Sequence, residues 1–141
     1  MTVEPFKPEH LDEIDLQAEQ TSWRDHRDPN YARELSEGVA VTAREAGRIV
    51  ACAGVLSVER DVGFAWAFVA RGAGRHFVRF RGMVRRLFEV SGKARILAST
   101  ECTFSNACRW LEILGFTRLR DEPISGCWPN NSDHFLYVKV L

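Results

Sequence analysis

The spacing of apolar residues changes period several times along the chain, and each change marks an element. Val3 to Phe6 alternates as a short strand, ended by Pro8. Pro8-Glu9-His10-Leu11 then opens a helix in which Leu11, Ile14 and Leu16 share a side. Residues 21–30 are polar and read as a loop. Tyr31 to Glu37 forms a second short helix, stopped by Gly38. From Val39 the period falls to two. Val39 to Glu45 is a strand, Ala46-Gly47 a turn, and Ile49 to Val58 a longer strand folded back on it. After the break at Asp61-Val62-Gly63, Phe64 to Ala70 is apolar on both faces, which predicts a central strand.

Arg71-Gly72-Ala73-Gly74 separates that strand from the clearest helix in the sequence. Phe77, Phe80, Val84, Leu87 and Phe88 form a stripe wide enough to pack on a sheet, and Ser91-Gly92 ends it. Arg95 to Thr100 is the next strand. Ser105 is placed to cap a helix that carries Ala107, Trp110, Leu111 and Leu114 on one side and stops at Gly115. Short strands near Phe116–Leu119 and Phe135–Val140 close the series. The order β-α-α-β-β-β-α-β-α-β-β predicts an α/β (α+β) fold: a mixed sheet with helices on its faces.

Composition narrows the function classes. At 141 residues the chain has the length of one domain, 1–141, with no repeat or linker to divide it. Nineteen basic residues balance nineteen acidic ones, so no global field draws the protein to nucleic acid or to an anionic membrane. The stretch from Arg71 to Arg95 is rich in arginine and carries one acidic residue, Glu89. No aromatic stacking platform accompanies it, and no nucleic-acid partner is expected. No window approaches the roughly 18–20 apolar residues of a membrane span. Met1 to Pro5 lacks the basic-then-apolar pattern of a signal peptide. A soluble, cytoplasmic protein is therefore expected. Cys52, Cys102, Cys108 and Cys127, and His10, His26, His76 and His134, are too scattered to predict a metal site.

Arg71 to His76 is the stretch with the most chemistry. A strand that enters a helix through a glycine-rich turn leaves backbone N–H groups free at the positive end of the helix dipole, which favours a phosphate. Gly72 and Gly74 permit close backbone approach, and Arg71 and Arg75 add charge-assisted bonds. Together with the hairpin Ala43–Gly54 and the helix Ala107–Leu114 followed by Gly115-Phe116, this order resembles the GNAT N-acetyltransferase superfamily over nearly the whole chain. That resemblance implies a mixed, mostly antiparallel central sheet flanked by helices. It also implies acetyl-coenzyme A as cofactor, with its pyrophosphate at Arg71, Gly72, Gly74 and Arg75. The family's pattern there is Gln/Arg-x-x-Gly-x-Gly/Ala, and His76 stands at the final Gly/Ala position. The preceding strand would hold the pantetheine arm, with a backbone N–H near Phe68 or Val69 for the oxyanion. Asn106 resembles a late asparagine that touches the cofactor arm, with helix capping as the rival role.

Transfer of an acetyl group to an amine requires the amine to lose its proton, since a lysine-like ammonium titrates near ~10.4. Glu101, at the end of its strand, is the candidate base, with a solvated strand-end carboxylate as the rival role. The tyrosine that serves the family as acid is replaced by Leu111. Tyr137 is an alternative proton source or a core residue, and Cys102 and Cys108 read as structural thiols. Trp23, His26 and Tyr31 fall where the family varies its acceptor-binding loop. The expected acceptor is a small-molecule amine or a protein amine, and the resemblance admits a homodimer. An alternative follows from Arg109-Trp110-Leu111, which is similar to a phage branch of the fold in which the domain serves structure or partner binding without catalysis.

Overall fold

The computed structural model describes residues 1–20, 29–127 and 131–141. Among the described residues, eight strands form one sheet in the order β1-β2-β3-β4-β5-β8-β6, with β7 also paired to β8. The strands are β1 (Thr2–Pro5), β2 (Val39–Glu45), β3 (Arg48–Glu59), β4 (Val62–Val69), β5 (Arg95–Glu101), β6 (Thr117–Arg118), β7 (Ile124–Cys127) and β8 (Ser132–Val140). Every pairing is antiparallel except β4 with β5. The helices are α1 (His10–Glu13), α2 (Pro29–Glu37), α3 (Phe77–Ser91) and α4 (Ser105–Ile113). This is the mixed, helix-flanked sheet that the order of elements predicts, and it is mostly antiparallel as the resemblance implies.

Alternation along β4 sorts the two faces. Trp66 and Phe68 point to one side, where Trp66 meets Phe6 edge-to-face at 5.0 Å and α1 packs through Leu11. Ala65 points to the other side, toward Val84 and Phe88 of α3 and Leu111 of α4. Two apolar clusters result. One gathers Leu11, Ile14, Leu35, Cys52, Trp66 and Phe68; the other gathers Val55, Phe88, Ile96, Ala98, Phe116 and Tyr137. At Gly54 of β3 a Cβ would lie 2.7 Å from Val39 O and 2.8 Å from the Trp66 ring, so only glycine lets the indole lie on the sheet there.

Four elements differ from the sequence expectation. The first helix stops at Glu13 instead of carrying Leu16: Ile14 is extended, with φ −68° and ψ 134°, and Leu16 forms a bridge with Ala70. Leu16 is buried all the same, against a strand edge instead of on a helix face. Ser105 does not cap α4. Phe104 is the N-cap, and among the described residues no side-chain hydrogen bond caps that end. β7 is an added, mostly exposed strand with no alternation to announce it, and β8 begins three residues before Phe135.

Candidate functional site

The site begins where two central strands part. β4 is paired with β3 as far as Val69, but with β5 only through Val62–Arg95, Gly63–Ile96 and Phe64–Leu97. Past that point β5 stays with β8 while β4 continues toward the loop at Arg71, and a cleft of about 170 Å³ opens between them. Ala65, Ala67 and Ala98 line it with short side chains, and Ser99, Thr100 and Leu111 complete the wall. The lining is predominantly apolar, with few polar groups to orient a ligand, as small-molecule sites usually are.

Splaying exposes backbone groups of β4 that a neighbour strand would otherwise satisfy. Ala70 N–H donates to Val50 O of β3, so by alternation the amides of Val69 and Arg71 face the opposite, β5 side. Segment 15–20 covers that edge. Arg71 N–H donates to Asp15 O at 2.7 Å, and Gln17 N–H donates to Val69 O at 3.1 Å. The Gln20 side chain then continues the pattern: Val69 N–H donates to its Oε1 at 2.8 Å, and its Nε2 donates to Ala67 O at 2.9 Å. The register thus separates the two expected backbone donors. Val69 presents its N–H to the cleft, whereas Phe68, opposite Cys52, presents its N–H to β3.

The glycine-rich loop follows β4 directly. Gly72 adopts a left-handed conformation, φ 75° and ψ 4°, and a 3-10 turn over Ala73–His76 leads into α3. Ala73 N–H donates to Ala70 O, which leaves the amides of Gly72 and Gly74 ahead of the turn's first i→i−3 bonds. Around Gly74 the nearest atom to an added Cβ would be on the Trp110 ring, at 3.9 Å, so the backbone is open to approach. Arg71 is exposed and lies 3.8 Å from the Asp15 carboxylate. Arg75 Nε donates to His76 Nε2 at 3.2 Å, and the His76 ring sits edge-on to Phe80 at 6.2 Å. Arg71, Gly72, Arg75 and His76 line a second groove, together with Glu13 and Asp15.

The remaining candidates divide. Glu101 ends β5 opposite His134, one residue past the cleft-lining Thr100. The β4–β5 register puts Leu97, Ser99 and Glu101 on the same sheet face as Phe64, Trp66 and Phe68. Asn106 is exposed in the first turn of α4 and does not cap it. Leu111 stands in the cleft wall, so that wall carries no hydroxyl where the resemblance expects one. Tyr137 is fully buried in the cluster beneath α4, 3.5 Å from Arg118 Nε, with burial pushing its phenol upward; it does not line the cleft. Cys102 and Cys108 are free thiols outside the cleft lining. Trp23 and His26 lie outside the described residues, and Tyr31 packs against the core.

Sequence reasoning did not select Gln17, Gln20, Trp66, Ser99 or Thr100, all of which line the cleft. Trp66 is nine-tenths buried, and among the described residues its indole N–H has no partner. His134, whose Nε2 likewise meets no partner among the described residues, is held neutral to lower pH by burial, against the opposing pull of Glu101 and Asp133. Among the described residues no helix is long and apolar enough to cross a membrane.

No family model and no curated protein matches the chain. Solved structures do. Ard1 from Thermoplasma volcanium superposes with a TM-score of 0.76 at 14% identity, over 99% of this chain and 97% of that one. Aminoglycoside 6'-acetyltransferase type Ii gives 0.73 at 14% identity, over 99% and 97%. yncA from Salmonella typhimurium, solved with its cofactor acetyl-CoA, gives 0.72 at 19% identity, over 100% and 94%. An acetyltransferase of GNAT family from Streptococcus pneumoniae also matches end to end, with a TM-score of 0.66 at 10% identity. The chain has the fold of the GNAT acetyltransferases.

Proposed function

We propose that this protein is an acetyl-coenzyme A-dependent N-acyltransferase that passes an acyl group directly to an amine. The observation that carries the reading is the parting of β4 from β5, which sets backbone amides along an apolar cleft and ends at a glycine turn flanked by Arg71 and Arg75. When bound, acetyl-coenzyme A supplies a thioester that an unprotonated amine can attack.

Each part of the chain has a task in that reading. The amides of Gly72 and Gly74, with the Arg71 and Arg75 guanidinium groups, hold the pyrophosphate at the start of α3. Val69 N–H and Ala67 O hydrogen-bond the pantetheine arm, and Ala65 and Ala98 leave it room. Asn106 touches the arm from α4. Trp66, Ser99 and Glu101 share the face from which the amine approaches, and Glu101 takes the amine's proton, directly or through water. Leu111 has no group to donate, so a proton for a leaving thiolate would not come from that position. A thiol titrates near ~8.5, low enough for departure without a strong acid. The similar structures point to the acceptor class only through their names: one is an aminoglycoside acetyltransferase, another a ribosomal-protein-alanine N-acetyltransferase. A small-molecule amine or a protein amine is the substrate class we propose.

Leu111 is also the observation that favours a second reading, a scaffold that retains the fold without catalysis. Calorimetric titration with acetyl-coenzyme A separates the two, using the wild type and an Arg71→Ala, Gly74→Glu double variant. Micromolar binding by the wild type that the double variant loses supports the enzyme. Glu101→Gln is then expected to lower kcat by roughly 10²- to 10⁴-fold against a competent amine while leaving cofactor affinity intact. Absence of wild-type binding moves the protein to the second reading.

A further inference from the structure

The edge of β4 that faces the cleft carries a short series of backbone groups, and segment 15–20 answers each of them in turn. Main chain serves Arg71 N–H and Val69 O; the Gln20 carboxamide serves Val69 N–H and Ala67 O. A carboxamide presents an N–H donor beside a C=O acceptor, as the edge of a strand does, so here a side chain stands in for a strand. Gln17 steadies it by donating from Nε2 to Gln20 Oε1 at 3.2 Å, and both glutamines line the cleft.

We propose that Gln20 is an internal competitor for the ligand arm, setting the affinity of the cleft for any ligand that carries amides along β4. This rests on the acyltransferase reading, in which Val69 N–H and Ala67 O receive that arm. The Gln20 bonds and the ligand's bonds use the same two backbone groups, so one set must break before the other forms. Binding is weakened by the fraction of time Gln20 spends in place. The exchange is between like and like, amide for amide, so the edge is satisfied in the free and in the bound state and neither end state carries orphaned groups in an apolar cleft. A ligand that lacks an amide arm gains nothing from the departure of Gln20 and is indifferent to it.

The test compares the wild type with Gln20→Ala and with Gln20→Met, which keeps most of the side chain's bulk without its amide. Each is titrated calorimetrically with coenzyme A and with adenosine 3′,5′-bisphosphate, which has no pantetheine. The proposal expects coenzyme A to bind both variants roughly threefold to tenfold more tightly than wild type, with the nucleotide unchanged. It also expects the Val69 amide to lose hydrogen-exchange protection in both ligand-free variants and to regain it with coenzyme A. Coenzyme A affinity that is equal or weaker in variants whose thermal transitions remain cooperative overturns the proposal. If neither ligand binds any of the three proteins, the acyltransferase reading fails and the competitor role fails with it. Tightened binding of both ligands alike also overturns it, since that places the effect of Gln20 at the loop and not on the arm.

Discussion

The two edges of β4 make different use of the same backbone. On the β3 side the ladder runs from Val62 to Val69, and large side chains close over it: the Trp66 ring lies on Gly54, and Cys52 faces Phe68 with its thiol pushed up to about 11 by burial. On the β5 side the ladder lasts three residue pairs and gives way to alanines, a cleft, and a borrowed side-chain amide. Sequence alone gives both edges the same strand, apolar on both faces. The difference teaches that a strand's stability and its availability to ligand are set by its neighbours. The closed edge anchors β4 so that the open edge can do without a full strand as its partner.

Core truncation should expose this asymmetry most strongly. Leu35 is fully buried on the closed side, and Leu35→Ala is expected to cost about 2–5 kcal/mol. Leu111 is an equal-sized side chain in the wall of the cleft, and Leu111→Ala should cost only about 1 kcal/mol, since less apolar surface is withdrawn from water there. Urea midpoints of the two variants measure the difference; equal losses would mean the cleft is packed as tightly as the core. Glycine substitution sharpens the contrast at the scale of one methyl group. Gly54→Ala drives a Cβ into Val39 O and the Trp66 ring, and should destabilise by roughly 1–3 kcal/mol. Gly74→Ala meets nothing closer than 3.9 Å and should stay within about 0.5 kcal/mol of wild type.

The same division explains what could be read from the chain. The β2–β3–β4 meander was legible because its signals are local: alternation within strands, and a turn at Ala46-Gly47, both with positive φ. α3 was legible from its stripe, and its stop from Gly92. The parting of β4 and β5 has no local signal, since Phe64 to Ala70 is apolar on both faces throughout. What failed to show in sequence depended on partners far away. Nothing in Ile14-Asp15-Leu16 says that the helix ends at Glu13; the edge at Ala70, over fifty residues on, decides it. Gln20 is one more polar residue ahead of the 21–30 stretch until residues 47 and 49 positions later present their backbone to it. Phe68 and Val69 could not be told apart as donors without the register to β3, because adjacent strand residues differ only in which way they point. β7 gave no signal because Ile124-Ser125-Gly126-Cys127 buries little and alternates with nothing.

The smallest effect separates the outer edge of the sheet from the cleft by charge. At the far edge Arg44 of β2 donates from Nε to Glu4 Oε1 of β1 at 2.8 Å and also pairs with Glu13 of α1. Those hydrogen bonds, opposed by partial burial, hold both carboxyls below their ordinary range. A carboxyl with a depressed folded-state value contributes stability that is fully present above the ordinary carboxylate range and is lost as pH falls through the depressed value. Wild type should therefore lose more stability between about pH 6 and pH 3 than Arg44→Gln does, with the gap shrinking in ~1 M salt. The gap should be slight, because exposed ion pairs contribute little. The cover on β4 behaves differently under the same titration. Gln20 carries no titratable group, so the exchange protection factor of Val69 N–H should hold at pH values where the β1 edge has begun to loosen. Parallel loss at Val69 and along β1 would show that the two edges open as one unit, and that the closed half does not anchor β4 independently of its outer strands.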